Sequence, residues 1–303
     1  MGIKDLFQLL EHNNYVPRSV NVKDLKGARV GIDASFLIHM FIRAGDRINM
    51  LSSSANPEKP TLHILQIINT IHAMRTAEVK GMLFVFDHPD SNPLKEAENA
   101  KRKIMREKAA ESEEKDMAKG AFKLTGEIVE DCMFLLRCLG ISYMVSPCGF
   151  EAEHVCAALT TKKIVDFVFT NDSDALTFGA TDVLRKNMIK KKVAKYSHYS
   201  LSDVLSSLKL TYPEFVKVCV VLGCDFAKKT KGIGMLTVLK KYQTVVLTDE
   251  QQTAYDYFTS ECPLDIKSIV KGSSDVAACE SWLATLGFNV ERILPKLAFI
   301  TGG

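Results

Sequence analysis

Three apolar, β-branched segments, Arg29 to Ile32, Gly81 to Phe86 and Lys163 to Thr170, recur along this 303-residue chain, and each runs into an aspartate within two residues. Between them lie stretches of helical period, Leu62 to Met74 and Ile128 to Leu139. Strands covered on both faces read as continuous apolar runs, and parallel neighbours need a crossover long enough to hold a helix. The alternation therefore predicts an α/β fold with a mainly parallel central sheet flanked by helices. An apolar content of 47% supplies a sizeable core. No apolar run approaches the roughly 18 to 20 residues of a membrane helix, and the N-terminus has no signal-peptide pattern, so an intracellular protein with no membrane partner is expected. The eight cysteines form no CxxC pair and are expected mostly as small core residues rather than as a zinc ribbon or disulfide framework.

Ser52 to Pro60 and His88 to Pro93 read as loops within one domain spanning 1–303, not as linkers. Lys95 to Lys119 is nearly all charged residues, Ala and Met, with good helix propensity and few large apolar anchors, which predicts a projecting helix. From about Pro213 onward the pattern is helical, with Asp225 to Gly234 as a turn.

Asp33, Asp87, and Asp172 with Asp174 close or follow the three strand-like runs, at the strand ends where open α/β sheets bind ligands. Glu151 and Glu153 precede an apolar run in a first helical turn, where anions are favoured, and Asp225 makes seven carboxylates. Carboxylates about 4 Å apart repel by roughly 4 kcal/mol per pair at an effective dielectric near 20, so such a cluster must take up protons or bind cations. An all-oxygen set favours Mg2+, with Mn2+ able to substitute, and suits a two-ion phosphoryl site. Any one strand-end Asp could instead be a helix cap; several pointing to one edge favour the site. Ser35 stands two residues after Asp33, where a haloacid-type phosphatase would need its second Asp.

The segments Met1-Gly2-Ile3, Gly31-Ile32-Asp33-Ala34-Ser35, Val85-Phe86-Asp87, Glu151-Ala152-Glu153, Thr170-Asn171-Asp172-Ser173-Asp174, and Leu222-Gly223-Cys224-Asp225 through Gly232-Ile233-Gly234 together resemble the flap endonuclease family of structure-specific 5′ nucleases. The resemblance implies a PIN-like nuclease core, a helical arch over 88–125, and a C-terminal helix-two-turn-helix extension over 213–303 that binds duplex DNA. It implies that Asp33, Asp87 and Glu153 hold one metal, with Glu151 acting largely through water, and that Asp172, Asp174 and Asp225 hold the second. Lys95 and Arg102 are seven residues apart and so two turns along one helix face; the resemblance implies that they reach from the arch to the scissile phosphate. A solvated helix laced by i to i+4 ion pairs is the competing view.

Gly232-Ile233-Gly234 with Lys229 and Lys231 is expected as a backbone-amide phosphate cradle, with K+ on the hairpin carbonyls. Gly2 and His39 are placed beside the DNA, His39 stacking on a base where cellular flap enzymes tend to carry Tyr. Arg185, Lys186, Lys190, Lys191, Lys192 and Lys195 form either a second phosphate contact or an exposed hairpin. The arch looks shorter than in cellular relatives, and the sequence stops at Gly303 short of their basic clamp-binding tail, as expected either of a minimal viral version or of a shortened chain. Gln251 to Phe258 has the Gln and paired aromatics of a sliding-clamp box, but Ala254 replaces its aliphatic anchor, so a core helix is expected.

The resulting expectation is a monomeric hydrolase of the nucleus or a viral replication compartment, a 5′ flap endonuclease or 5′ to 3′ exonuclease on branched or flapped double-stranded DNA. It would leave 5′-phosphate and 3′-hydroxyl ends in replication, repair or recombination. The alternatives are a Holliday-junction resolvase of the same superfamily, a catalytically silent DNA-binding scaffold and, more remotely, a PIN-type ribonuclease.

Overall fold

Alternation of side chains along each strand splits the core into two layers. The computed structural model describes residues 2–43, 61–90, 92–110, 124–186 and 195–302. Its strands are β1 (Arg18–Asn21), β2 (Arg29–Asp33), β3 (Gly81–Phe86), β4 (Ser142–Val145), β5 (Phe167–Phe169), β6 (Asp182–Lys186) and β7 (Lys195–Ser200). They form one sheet in the order β1-β7-β6-β5-β2-β3-β4. Strands β2 to β6 run parallel, as expected, while β7 is antiparallel to β6 and β1 to β7, so one edge is mixed.

The helices are α1 (Leu6–His12), α2 (Ala34–Arg43), α3 (Leu62–Thr76), α4 (Glu96–Ala110), α5 (Gly126–Cys138), α6 (Ala152–Thr161), α7 (Asp174–Thr177), α8 (Leu201–Leu208), α9 (Tyr212–Leu222), α10 (Met235–Lys241), α11 (Asp249–Thr259), α12 (Val276–Thr285) and α13 (Leu294–Thr301). On β3, Met82, Phe84 and Phe86 face a layer built by α2, α3, α5, α12 and α13. Leu83 and Val85 face the layer of α1, α6, α7, α9 and α11. That period of two is the strand geometry itself. None of the described helices is long and apolar enough to cross a membrane.

The Lys163 to Thr170 run is strand only over Phe167–Phe169, because Lys163 has a positive φ of 54° in the turn that leaves α6. The region after residue 213 also divides. Helices α9 to α11 join the layer of α6, whereas Cys279, Leu283, Leu297 and Ile300 complete the opposite layer against α3 and α5. The chain between them runs along β4, where Tyr143 and Val270 exchange both backbone hydrogen bonds (2.9 and 3.0 Å) and shield the sheet edge. Ser52 to Pro60 and the arch beyond Ala110 up to Lys123 lie outside the described residues.

Candidate metal and nucleic-acid site

Register puts the carboxylates together. Asp33 pairs with Val85 and Ile32 with Phe169 in parallel neighbours, so Asp33, Asp87 and Asp172 leave the sheet at one edge. Asp33, 1% exposed, accepts the Phe36 N–H (2.9 Å) on Oδ1 and the Thr170 hydroxyl (2.8 Å) on Oδ2. Asp87 Oδ1 accepts the Ala152 N–H (2.8 Å), capping α6 and drawing Glu151 and Glu153 to the end of β3. Ligand oxygens of Asp87, Glu151 and Glu153 then lie within 4.8 Å of one another. Asp172 Oδ1 accepts the Asp174 N–H (3.1 Å) at the start of α7.

The N-terminal segment and the turn after α9 close the site from the other side. The Ile3 N–H donates to Ser173 Oγ (2.8 Å) and the Lys4 N–H to the Gly223 carbonyl (2.9 Å). A Cβ at Gly2, whose φ is +91°, would collide with the Asp172 carboxylate and Ser173 Oγ. Gly2 therefore sits against the acidic cluster and constrains Asp172, a role its place in the sequence alone does not reveal. Gly223 ends α9 at φ +94°, and a Cβ there would meet the Lys229 backbone N at 2.8 Å, so glycine lets the chain double back and present Asp225.

Electrostatically the cluster is strained toward cations. Burial, reinforced by Asp87 and Asp172, pushes Asp33 up to about 8. Burial together with Asp33, Asp172 and Asp87 raises Glu153 well above the ordinary carboxyl range, and burial with Asp172 and Asp225 does the same to Asp174. Glu151 and Asp172 are raised by burial as well. Asp174 Oδ1 is buried and has no hydrogen-bond partner among the described residues. A buried carboxylate oxygen left unsatisfied among like charges is costly unless protonated or bound to a cation, so the donor set fits hard divalent ions.

Lys95, on the turn Pro93–Lys95 before α4, and Arg102, on α4, both reach this cluster. Lys95, 13% exposed, lies 2.6 Å from Glu151 Oε2 and 3.9 Å from Asp225 Oδ2, with its ammonium 5.1 Å from the centre of the Phe226 ring. Burial alone would lower its pKa, but Glu151, Glu153, Asp225 and Asp174 outweigh that and hold it well above the ordinary value. Arg102 pairs with Asp225 and, at 3.3 Å, with Glu98 one turn back. The base of the arch is thus docked on the cluster, while Ile104 and Met105 further along α4 are exposed.

Sequence reasoning missed Tyr257 and Asn92. The Tyr257 hydroxyl accepts the Glu151 N–H (3.2 Å) and Asn92 Nδ2 (2.9 Å) and donates to the Gly149 carbonyl (3.1 Å), using its one donor and both acceptor sites. Asn92 also caps the turn ending in Lys95 through the Leu94 N–H (3.0 Å). Nothing local marks their part in the site, since the contacts of Asn92 with Gly149 and Tyr257 join positions 57 and 165 apart. The same helix carries the clamp-like sequence, and there Gln251, Ala254 and Phe258 are buried, Gln251 donating to the Lys228 carbonyl and Thr230 Oγ1.

The hairpin is only partly as expected. Gly232 takes a left-handed φ of +75°, but Gly234 has φ −122°, and a Cβ there would find only Lys229 Nζ, at 3.8 Å. The Gly234 N–H at the start of α10 already donates to Thr237 Oγ1 (3.2 Å). Lys229 lies 3.7 Å from Asp5, and Lys231 is exposed. His39 is half-buried on α2. The second basic cluster is a β6–β7 hairpin whose Lys190 to Lys192 lie outside the described residues. Its Arg185 is turned inward, the guanidinium 3.4 Å from the Phe7 ring centre, and Lys186 lies over Phe41 at 5.1 Å, so these two cations are spent on aromatic faces.

Residues 1–109 match the family model of the XPG N-terminal domain and residues 140–225 that of the XPG I-region. Flap endonuclease 1 of Encephalitozoon cuniculi (strain GB-M1) is 34% identical over 267 residues, which cover 81% of this chain and 74% of that protein. The chain belongs to the flap endonuclease family. Flap endonuclease 1-A of Oryza sativa subsp. japonica, another family member, is 34% identical over 79% of this chain and 66% of its own length, so the chain spans about two thirds of that relative. Among solved structures, the catalytic core of Rad2 in complex with DNA substrate shares the fold, with a TM-score of 0.73 at 22% identity over 99% of this chain and 100% of that one. The flap endonuclease family consists of metal-dependent nucleases, and the acidic cluster is where this member could hold the metal.

Proposed function

We propose that this chain is a Mg2+-dependent, structure-specific 5′ nuclease acting on flapped or branched duplex DNA. The observation that carries the reading is the convergence of seven carboxylates from five separate segments on one sheet edge, with Lys95 and Arg102 seated on the same cluster. Asp33, Asp87 and Glu153 would hold one ion, with Glu151 acting largely through water, and Asp172, Asp174 and Asp225, with Glu153 between, a second. When bound, such ions activate water and neutralise charge on a phosphodiester.

The chain's own residues orient and select. Thr170 and the Phe36 N–H fix Asp33, and the Ala152 N–H fixes Asp87, so the acidic oxygens are aimed before any ligand arrives. Lys95 and Arg102 carry charge-assisted contacts that can be exchanged from carboxylate to phosphate oxygen, where they stabilise charge developing in the transition state. Gly232, Gly234, Lys229 and Lys231 would hold a phosphate of the intact duplex, with K+ at the hairpin, and His39 would stack on a base near the cluster. Mapping products on end-labelled flap, nicked, blunt and four-way DNA tests the reading. Cuts near the flap junction leaving 5′-phosphates are expected; symmetrical cutting of the four-way substrate in preference to the flap would reassign the chain to junction resolution.

A further inference from the structure

A second group of metal-ligating side chains lies outside the seven carboxylates. His88 and Asp90 sit in the loop after β3, and Cys148 in the turn before α6; one donor atom of each lies within 4.8 Å of the others. The His88 imidazole is 27% exposed and 3.6 Å from the Asp90 carboxylate, which is 78% exposed. All eight cysteines are free thiols, and Cys148 alone is exposed. The two loops are pinned on both sides of the group: the His88 N–H donates to Ser146 Oγ (2.9 Å), and Asn92 Nδ2 donates to the Gly149 carbonyl (3.1 Å). The triad is therefore brought together by the backbone and does not depend on an ion to assemble it.

We propose that His88, Asp90 and Cys148 form a site for a borderline-soft divalent transition ion of the Zn2+ class. Imidazole nitrogen, thiolate sulfur and carboxylate oxygen are the donors Zn2+ takes, whereas Mg2+ prefers oxygen alone, so the site discriminates against the ions suited to the acidic cluster. Three protein ligands leave the fourth tetrahedral position to water. Coordination releases the Cys148 thiol proton to solvent, and the weak Asp90 N–H contact to His88 Nδ1 (3.2 Å) can yield to a metal bond. The ion would act as a clip between the loop leading through Asn92 to Lys95 and the loop leading to Glu151, two segments that already meet at the Tyr257 hydroxyl.

The test is titration of the full chain with Co2+ in excess Mg2+, followed by the thiolate-to-cobalt charge-transfer absorption, which the carboxylate cluster cannot produce. The band should saturate at one ion per chain and be bleached by Zn2+. It should vanish in Cys148→Ser, and His88→Ala should weaken Co2+ binding on the order of tenfold or more. Asp172→Ala should retain it. Because Asp90 and Cys148 are exposed, Asp90→Ala and Cys148→Ser leave the core untouched and are read with the fold intact. Absence of the band in the unaltered chain, or its persistence in Cys148→Ser with seven cysteines still present, would overturn the proposal. So would alkylation of Cys148 at the same rate with and without Zn2+.

Discussion

Asp33 shows how a side chain can be fully legible in sequence and still carry information only the fold supplies. Its place at the end of an apolar run marked it, but its elevated pKa arises from burial beside Asp87 and Asp172, which are distant along the chain. A carboxyl whose folded pKa lies above its unfolded value binds more protons in the native state, so its contribution to stability is present at low pH and is lost as pH rises through the folded value. With divalent ions chelated, thermal stability should therefore fall as pH is raised from about 4 toward about 8, and Asp33→Asn should flatten part of that slope; calorimetry in chelator across that range checks it. A stability rising with pH there would mean the cluster is not held as described. Tyr257 is the opposite case: its three hydrogen bonds at the Glu151 turn decide the site's shape, yet a tyrosine in a helix gives no such signal until the fold brings 92, 149 and 151 to it.

At the scale of elements, the arch helix and the hairpin were readable for different reasons. Lys95 and Arg102 are picked out by the family resemblance, and the one-helix geometry expected for them does not hold: Lys95 is on a short turn before α4, and both are seated on carboxylates instead of projecting into solvent. Each changed to Ala should lower single-turnover cleavage on the order of 10² or more, as for loss of an electrostatic transition-state contact. Rates unchanged under single-turnover conditions would leave them as structural ion pairs that hold the helix base on the carboxylates. Gly232 and Gly234 looked equivalent in sequence, but only the first is left-handed. Replacing Gly232 with Val costs about 1–2 kcal/mol of backbone strain whatever the hairpin binds. Gly234→Val adds no such strain, and should weaken affinity for every duplex-containing DNA while sparing single strands, with unchanged circular dichroism; full duplex affinity would remove the hairpin from the binding surface. The strands β1 and β4 escaped notice because they are short, whereas β6–β7 was one of the two alternatives read from its cations, of which Arg185 and Lys186 lie over Phe7 and Phe41.

For the molecule as a whole, the period-two alternation on β3 explains why the predicted class held: a sheet apolar on both faces needs two layers of helices, and the parallel strands then deliver their C-terminal carboxylates to one edge. The C-terminal region was harder, because α12 and α13 look like a continuation of α9 to α11 until Leu283 and Leu297 are seen filling the other layer. The 213–303 extension proposed to bind duplex DNA is thus split between the two layers, and only its α9 to α11 part packs on the layer of α6. Cleavage by the acidic edge would depend most directly on Asp174, whose buried oxygen has no hydrogen-bond partner among the described residues. Single-turnover cleavage and binding of one 5′-flap duplex by the unaltered chain and by Asp174→Ala, each with Mg2+ and with chelator, measures that claim. Cutting is expected only from the unaltered chain with Mg2+, with nearly equal flap affinity for both proteins; cutting by Asp174→Ala at the unaltered rate would remove the acidic edge from the reaction.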